Sequence, residues 1–494
     1  MAAIVQVEAA ALPAMRLVHR AMLAVPPCLQ NPAAAALLNQ SNLPPSSPAI
    51  DQAAEPNPNA SPIAADSISL TVCSWNVLAQ CLIRRDMFSA ETPKDALRWK
   101  PRASLLMSRV STLNPDLLCL QEVDRVDELW DSELTIRGYQ HLHRHKDAGR
   151  HGCLIAWRAA TWDLVRSHKI VFDASPLTHP TAIHPKTGNI AIMVELKHRQ
   201  SQKSIVVTNH HLYWVPRGSY LRLRQLYVLM DALAKFNDQD LPVITCGDFN
   251  GQPQRPEYCV LTKRALTPSQ IEDLLDIPNK DEDVRQPKKS RSPTPTNNLA
   301  PIDSAALASP SESGATSADS ALAPTPSLAA TAANPPRTLS PDTELVAPET
   351  MVDLPPLDLV AKFDAFPRCY SAYANYRDID PDVHAQRNDD FHEPAWTNVA
   401  DTFRGCLDYI LMIDPTASAA TDSAAFPFRV HEILALPSDD EVGVAGLPNL
   451  VHASDHVAIM AKIEIVTPRT AHRDAVASDS STSAGNQQED EATG

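Results

Sequence analysis

A chain of 494 residues with 43 prolines and only 13 glycines is not one continuous globule, because the prolines gather in stretches that cannot pack a core. Its formal charge of −16 lacks the basic balance that would by itself point to nucleic acid. Such a substrate is not thereby excluded, since a carboxylate cluster that holds metal adds negative charge locally.

Nine cysteines occur with no CxxC pair and no Cys/His ligand spacing. Cys73, Cys119 and Cys246 sit inside apolar runs and read as buried free thiols in a reducing compartment. No apolar stretch approaches the ~18 residues of a membrane span. Residues 1–65 are Ala/Pro-rich and read as a disordered extension. Arg16, Arg20 and the single acid Glu8 in its first part also give a weak mitochondrial-presequence pattern. The compartment expected is the cytoplasm, with the mitochondrion as the alternative.

Residues 66–262 form the first part of the expected catalytic domain. SISLTVCSWNVL alternates apolar and polar as a half-buried strand does. RASLLMSRVSTL reads as a helix carrying Leu105, Leu106, Val110 and Leu113, stopping at Asn114-Pro115. DLLCLQEV is a continuous apolar run, as in a strand buried on both faces, and GCLIAW, IAIMVEL and SIVVTNHH add strands. YLRLRQLYVLMDALAKF is an amphipathic helix with Leu223, Leu226, Tyr227, Met230 and Leu233 on one face. LPVITCGDFN is a buried strand running into a turn. Residues 263–360 read as a mostly disordered Pro/Ser/Ala-rich insertion, too poor in apolar residues to offset chain entropy. Residues 361–466 complete the domain with strands at RGCLDYILMI and DHVAIMAKIEIV, and 467–494 form a polar tail expected to be disordered. Strands alternating with helices indicate one α/β domain, split by the insertion.

The apolar runs share a feature at their ends. Asn76 follows TVCSW, Glu122 follows LLCLQ, His211 ends VVTNHH, and Asp248 and Asn250 follow VITCG. Asp408 lies in CLDYI, and Asp455-His456 precede VAIMAKIEI. Singly these are turn residues, caps or a core histidine. Together, at the ends of buried runs, they can converge on one cleft. Carboxylates at Glu122, Asp248 and Asp455 suit a hard cation such as Mg²⁺, with Mn²⁺ as an alternative. Asp408 is suited to orient His456.

The series SWNVLAQ, CLQEVD, NHHLYW, CGDFNGQP, RGCLDYI and ASDHVAI resembles the endonuclease/exonuclease/phosphatase (DNase I-like) superfamily. WNVLAQ, CLQEVD and AWTNVADTFRGCLDYI look like the branch of nocturnin, the Angel proteins, Ngl-type RNA exonucleases and carbon-catabolite-repressor deadenylases. That branch also holds the mitochondrial 2′,5′-phosphodiesterase. The resemblance implies a four-layer α/β sandwich with two central, mostly antiparallel sheets and a Mg²⁺ site between their rims. It implies that Glu122 is the principal metal ligand, with Asp455 and Asn76 beside the metal. Asp248 would activate water or aid metal binding, with Asn250 and His211 near the phosphate and His456 paired with Asp408. Pro216, Asn398 and Phe403 fall where deadenylases sandwich and read the terminal base; core packing is the competing reading of Phe403.

The function implied is Mg²⁺-dependent 3′→5′ exonuclease action on single-stranded, A-rich RNA 3′ ends. Cleavage of 2′,5′-oligoadenylate, a nocturnin-like dinucleotide phosphatase, and an RNA-binding adaptor with a silent site are the alternatives. Leucine-rich repeats, the docking module of the large-complex deadenylases, are missing upstream, so assembly into that complex is not expected. Arg84, Arg85, Arg98, Lys100, Arg102, Arg217, Arg222 and Arg224 are candidates for tracking the RNA backbone, or for a solvated face. His141, His143 and His145 read as surface residues.

Overall fold

The computed structural model of the protein describes residues 22–27, 30–31, 67–146, 149–178, 186–277, 352–374, 376–379, 391–400, 403–416 and 426–466. Most of the N-terminal extension, the centre of the insertion (278–351) and the tail from 467 lie outside the described residues.

Two sheets form the centre. The first contains, in spatial order, β1 (Met22–Ala24), β16 (Phe428–Leu434), β17 (Ile459–Val466), β2 (Ser67–Asn76), β3 (Leu117–Val123), β5 (Gly152–Arg158) and β4 (Tyr139–His145). The second contains β12 (Cys369–Ser371), β15 (Asp408–Ile413), β10 (Val243–Asp248), β9 (Ser204–His211), β8 (Ile190–His198) and β6 (Trp162–Val171). β2/β3 and β9/β10 run parallel, and the other pairs in both sheets are antiparallel. Two short ribbons complete the strands. β7 (Leu177–Thr178) pairs with β11 (Val352–Asp353), and β13 (Asn398–Ala400) pairs with β14 (Phe403–Gly405).

The alternation of strand side chains assigns each residue to a layer. Ile68, Leu70 and Val72 of β2 join Leu117 and Cys119 of β3 in the core between the sheets. There they meet Ile205, Val207, Ile244, Cys246, Ile410 and Met412 of the second sheet. The opposite-facing Cys73, Trp75, Leu118 and Leu120 pack under the helix Trp99–Leu113, through Leu106, Met107 and Val110. On the far side Met193, Val206 and Val243 pack under the helix Ser219–Phe236, through Leu223, Leu226 and Met230. The result is helix, sheet, sheet, helix: the four-layer sandwich. β2 is half-buried only in its first half, where Ser69 is exposed; from Val72 onward its residues are covered on both faces. The expected stop at Asn114 is an αL C-cap with φ +46°.

Two boundaries move. The 1–65 extension supplies an edge strand, since Met22–Ala24 pair with Leu434–Glu432 and Val25 is buried. The 263–360 insertion is ordered at both ends, where the helices Pro268–Leu275 and Pro356–Lys362 pack Leu274 and Leu359 into the core under Ser219–Phe236.

Candidate active site

Register brings the strand ends together. In the second sheet Asp248 stands opposite Asp408 on one side and His211 on the other. In the first sheet Asn76 lies beside Gln121, and β17 follows directly on Asp455-His456 to pair with β2. Below the rims, Gln121 Nε2 donates to Asn209 Oδ1 at 2.8 Å. Asn209 Nδ2 donates in turn to the carbonyls of Leu120 and Leu154 at 2.8 and 2.9 Å. These buried amides fix one sheet against the other just beneath the site.

Asn76 links the two sheets at the rim. Its Nδ2 donates to Glu122 Oε1 at 3.1 Å and to Asp248 Oδ2 at 2.9 Å, while its Oδ1 accepts from the Leu78 N–H at 3.0 Å. Glu122 sits in a β-bulge between Leu120 and Val123 with φ +58°, which turns its carboxylate toward the cleft. A left-handed glutamate is costly, and such backbone gathers at functional sites. Burial alone would raise the Glu122 carboxyl. His211 and His151 nearby, with hydrogen bonds from Asn76 and the Ala79 N–H, outweigh that and hold it below its usual range.

Asp248 is buried, accepting from the Asn250 N–H at 2.8 Å through Oδ1. Burial, reinforced by the Asp408 charge, pushes it up to about 7 against the opposing pull of His456 and its hydrogen bonds. Asn250 holds φ +51° and donates Nδ2 to the Leu212 carbonyl at 3.0 Å. His456 Nδ1 lies 2.8 Å from Asp408 Oδ2, and its Nε2 faces Asp248 Oδ2 at 3.6 Å. Burial opposes protonation of this ring, but Asp408, Asp248 and Asp455 outweigh it and raise His456 well above its ordinary value. Acidic groups at both ring nitrogens thus favour its protonated form. His211 stands 3.7 Å from Asp248 Oδ2 and is pushed down to about 3 by burial, against the opposing pull of Glu122.

Asn398 is buried, donates Nδ2 to the Asp455 carbonyl at 3.2 Å, and forms a strand bridge with His456. Phe403, two residues into the other arm of that ribbon from Gly405, is exposed and so is not core packing. Pro216 is exposed in the turn after His211.

Sequence reasoning passed over four residues. Thr397 Oγ1 donates to Asp408 Oδ2 at 2.6 Å, and Ser454 Oγ donates to the Asn76 carbonyl at 2.7 Å. Lys146 and His151 line a recess beside His211. A polar residue adjoining each motif was the available signal for Thr397 and Ser454; nothing in the sequence pointed to Lys146. Three candidate RNA contacts are overturned. Arg102, Arg222 and Arg224 are buried and committed to protein carbonyls, Arg102 to Ala453 and Val77 at 2.7 and 2.8 Å.

Asp248, Asp408 and His456 offer ligand atoms within 4.8 Å of one another, a possible acidic/His metal site. His456 already uses Nδ1 on Asp408, which suits a proton-holding unit better than a ligand set. Glu122 and Asp455 form the other acidic group. Asp455 is raised by burial and also by the charge of Glu122, a repulsion that a cation between them would relieve.

The profile of the Endonuclease/Exonuclease/phosphatase family matches residues 73–456, which takes in every one of these groups. The chain belongs to that family. Endonucleases, exonucleases and phosphatases, the activities that the family's description names, all hydrolyse phosphoesters. Among relatives, the Saccharomyces cerevisiae protein named probable RNA exonuclease NGL3 is 32% identical over 212 residues, covering 41% of this chain and 41% of its own. A Schizosaccharomyces pombe protein, also named a probable RNA exonuclease, is 27% identical over 431 residues, 83% of this chain and 79% of its own. The solved structure of ANGEL2, described as a 2′,3′-cyclic phosphatase, shares the family fold with a TM-score of 0.52 at 19% identity. It covers 81% of this chain and 97% of that one.

Proposed function

We propose that the protein is a Mg²⁺-dependent 3′→5′ RNA exonuclease of the deadenylase type, acting on single-stranded, A-rich 3′ ends. The observation that carries this reading is a ribbon that joins an exposed aromatic ring to the acidic site. The exposed Phe403 ring and the buried Asn398 share one ribbon, and that ribbon is bridged to His456. An exposed ring beside a buried amide suits an unstacked base, which is how single-stranded RNA is read. The names of the relatives that span both halves of the chain agree with an RNA substrate.

In this reading Glu122 and Asp455 hold the cation, with Asn76 fixing the Glu122 carboxylate. Hard oxygen donors and the mutual repulsion of the two acids fit Mg²⁺. Bound there, Mg²⁺ would supply the charge that polarises a phosphoryl oxygen and stabilises the leaving 3′ oxygen, which takes its proton from solvent. Asp248, oriented by Asn76 and the Asn250 N–H, takes the proton of the attacking water. His456, kept cationic by Asp408, donates to a non-bridging oxygen as charge builds. The products are a nucleoside 5′-monophosphate and an RNA one residue shorter with a free 3′-hydroxyl. Pro216 and Phe403 flank the terminal base and Asn398 reads it.

The test is a 5′-labelled RNA ending in oligo(A), incubated with Mg²⁺, with EDTA, and with the Glu122→Ala variant. A ladder shortening from the 3′ end in Mg²⁺, absent in both controls, is the expected result. Intact RNA with folded protein overturns the reading. Hydrolysis of 2′,5′-oligoadenylate or of a dinucleotide phosphomonoester would then reassign the substrate, and RNA binding without any hydrolysis would leave an adaptor.

A further inference from the structure

Of the seven tryptophans, six are buried or half-buried, whereas Trp214 is 68% exposed. Among the described residues it and Phe403 are the exposed aromatic side chains, and both stand on segments leaving the site. Trp214 lies three residues after His211 and two before Pro216. The terminal-base reading takes up Phe403 and leaves the indole unused.

The turn that carries Trp214 is held firmly. The buried Arg222 guanidinium donates to the carbonyls of Tyr213, Val215 and Pro216 at 3.2, 2.7 and 3.3 Å. The same group is paired with Glu257 at 2.5 Å, both side chains 1% exposed. Gln225 Oε1 accepts from the Tyr213 N–H at 2.9 Å, and Arg217 Nε donates to Asp276 at 2.7 Å. At Gly218 a Cβ would fall 2.6 Å from the Tyr213 ring and 2.7 Å from the Val215 carbonyl, so the turn closes tightly. The backbone on both sides of Trp214 is therefore fixed while the indole itself stays in water.

An indole pre-positioned in this way presents a flat apolar face with little ordering left to lose on binding. Such a face receives any base, because every base has a π-surface. A single strand whose 3′ residue lies at Asn398 and Phe403 must run out of the cleft past a neighbouring rim, and the turn after His211 is such a rim.

We propose that Trp214 is a second base-stacking platform, receiving a base upstream of the terminal nucleotide and so setting how much single strand the enzyme grips. Arg222 is its positioning residue. This inference rests on the RNA reading above, and its test separates the two.

Tryptophan emission of the full chain is followed in EDTA, where nothing is hydrolysed, as oligo(A) is added. The expected result is quenching by oligo(A), absent in Trp214→Phe, and weaker with an oligomer abasic at the upstream positions. In Mg²⁺, Trp214→Ala should raise KM for oligo(A) about tenfold, with a smaller effect on kcat and a smaller KM change on the dinucleotide ApA. Circular dichroism melting of both variants checks that the exposed site tolerates the change. Quenching unaffected by Trp214→Phe, no quenching at all, or an unchanged KM in Trp214→Ala overturns the platform. RNA shortened normally by both variants sinks the platform alone. Trp214-dependent quenching without any shortening sinks the exonuclease reading and leaves the platform standing.

Discussion

His210 precedes the site histidine by one residue yet faces the other way. It is fully buried against Phe249, with ring centroids 4.6 Å apart, and neither ring nitrogen has a hydrogen-bond partner among the described residues. Gly247 accommodates it, since a Cβ there would lie 2.9 Å from the imidazole. Burial pushes His210 down to about 3, below its ordinary value of 6.5. The unfolded chain therefore binds more protons between those values, so stability is full above about 6.5 and is lost as pH falls toward 3. Between pH 7.5 and 5.0, urea unfolding should lose about 2 kcal/mol more in the wild type than in His210→Leu. Equal pH slopes would show that the imidazole finds a partner or water. At this scale the sequence was informative about chemistry and silent about direction. NHH announced two histidines at a strand end, and the alternation of the strand turns one toward the site and the other into the core.

At the scale of elements, the buried runs LLCLQE and VITCGD were legible because continuous apolar character survives any register. The Glu122 bulge was not, because nothing in LQEV marks a left-handed glutamate. The arginines of the PRASLL and LRLRQ segments were misleading for a related reason. A periodic pattern shows which residues share a face, but not that a cation reaches the carbonyls of another element. Arg102 leaves its helix to bind Val77 and Leu78, just after Asn76, and Ala453, just before Asp455. It thereby ties the two loops that present Asn76 and Asp455. Arg102→Met keeps the aliphatic stem and strands these buried carbonyls, which should cost about 3 kcal/mol and lower kcat with it. The exposed Lys100→Ala, on the same helix, should shift stability by less than about 0.5 kcal/mol. Guanidinium-chloride midpoints of the two variants check this, and similar values would return Arg102 to the surface.

For the whole molecule, the α/β class could be read from strands alternating with helices and the insertion from composition, whereas the two-sheet sandwich came only from the family resemblance. The N-terminal edge could not. MLA is three residues inside an Ala/Leu-rich stretch, too short for periodicity to register. Yet Met22–Ala24 lie along β16, the Val25 N–H donates to the His431 carbonyl at 2.7 Å, and Gln30 accepts from the Val430 N–H at 2.7 Å. This segment covers the edge of the seven-stranded sheet, whose unpaired groups would otherwise be open to other chains. The presequence pattern and this strand make opposing demands on the same residues. If 1–65 were a removable leader, a chain starting at residue 32 would melt like the full one. The pairing instead requires a Tm lower by roughly 3–6 °C and a greater tendency to self-associate, seen by differential scanning calorimetry and light scattering. A chain starting at residue 21 keeps the strand and should match the full protein in both, which separates loss of the edge from loss of mere length.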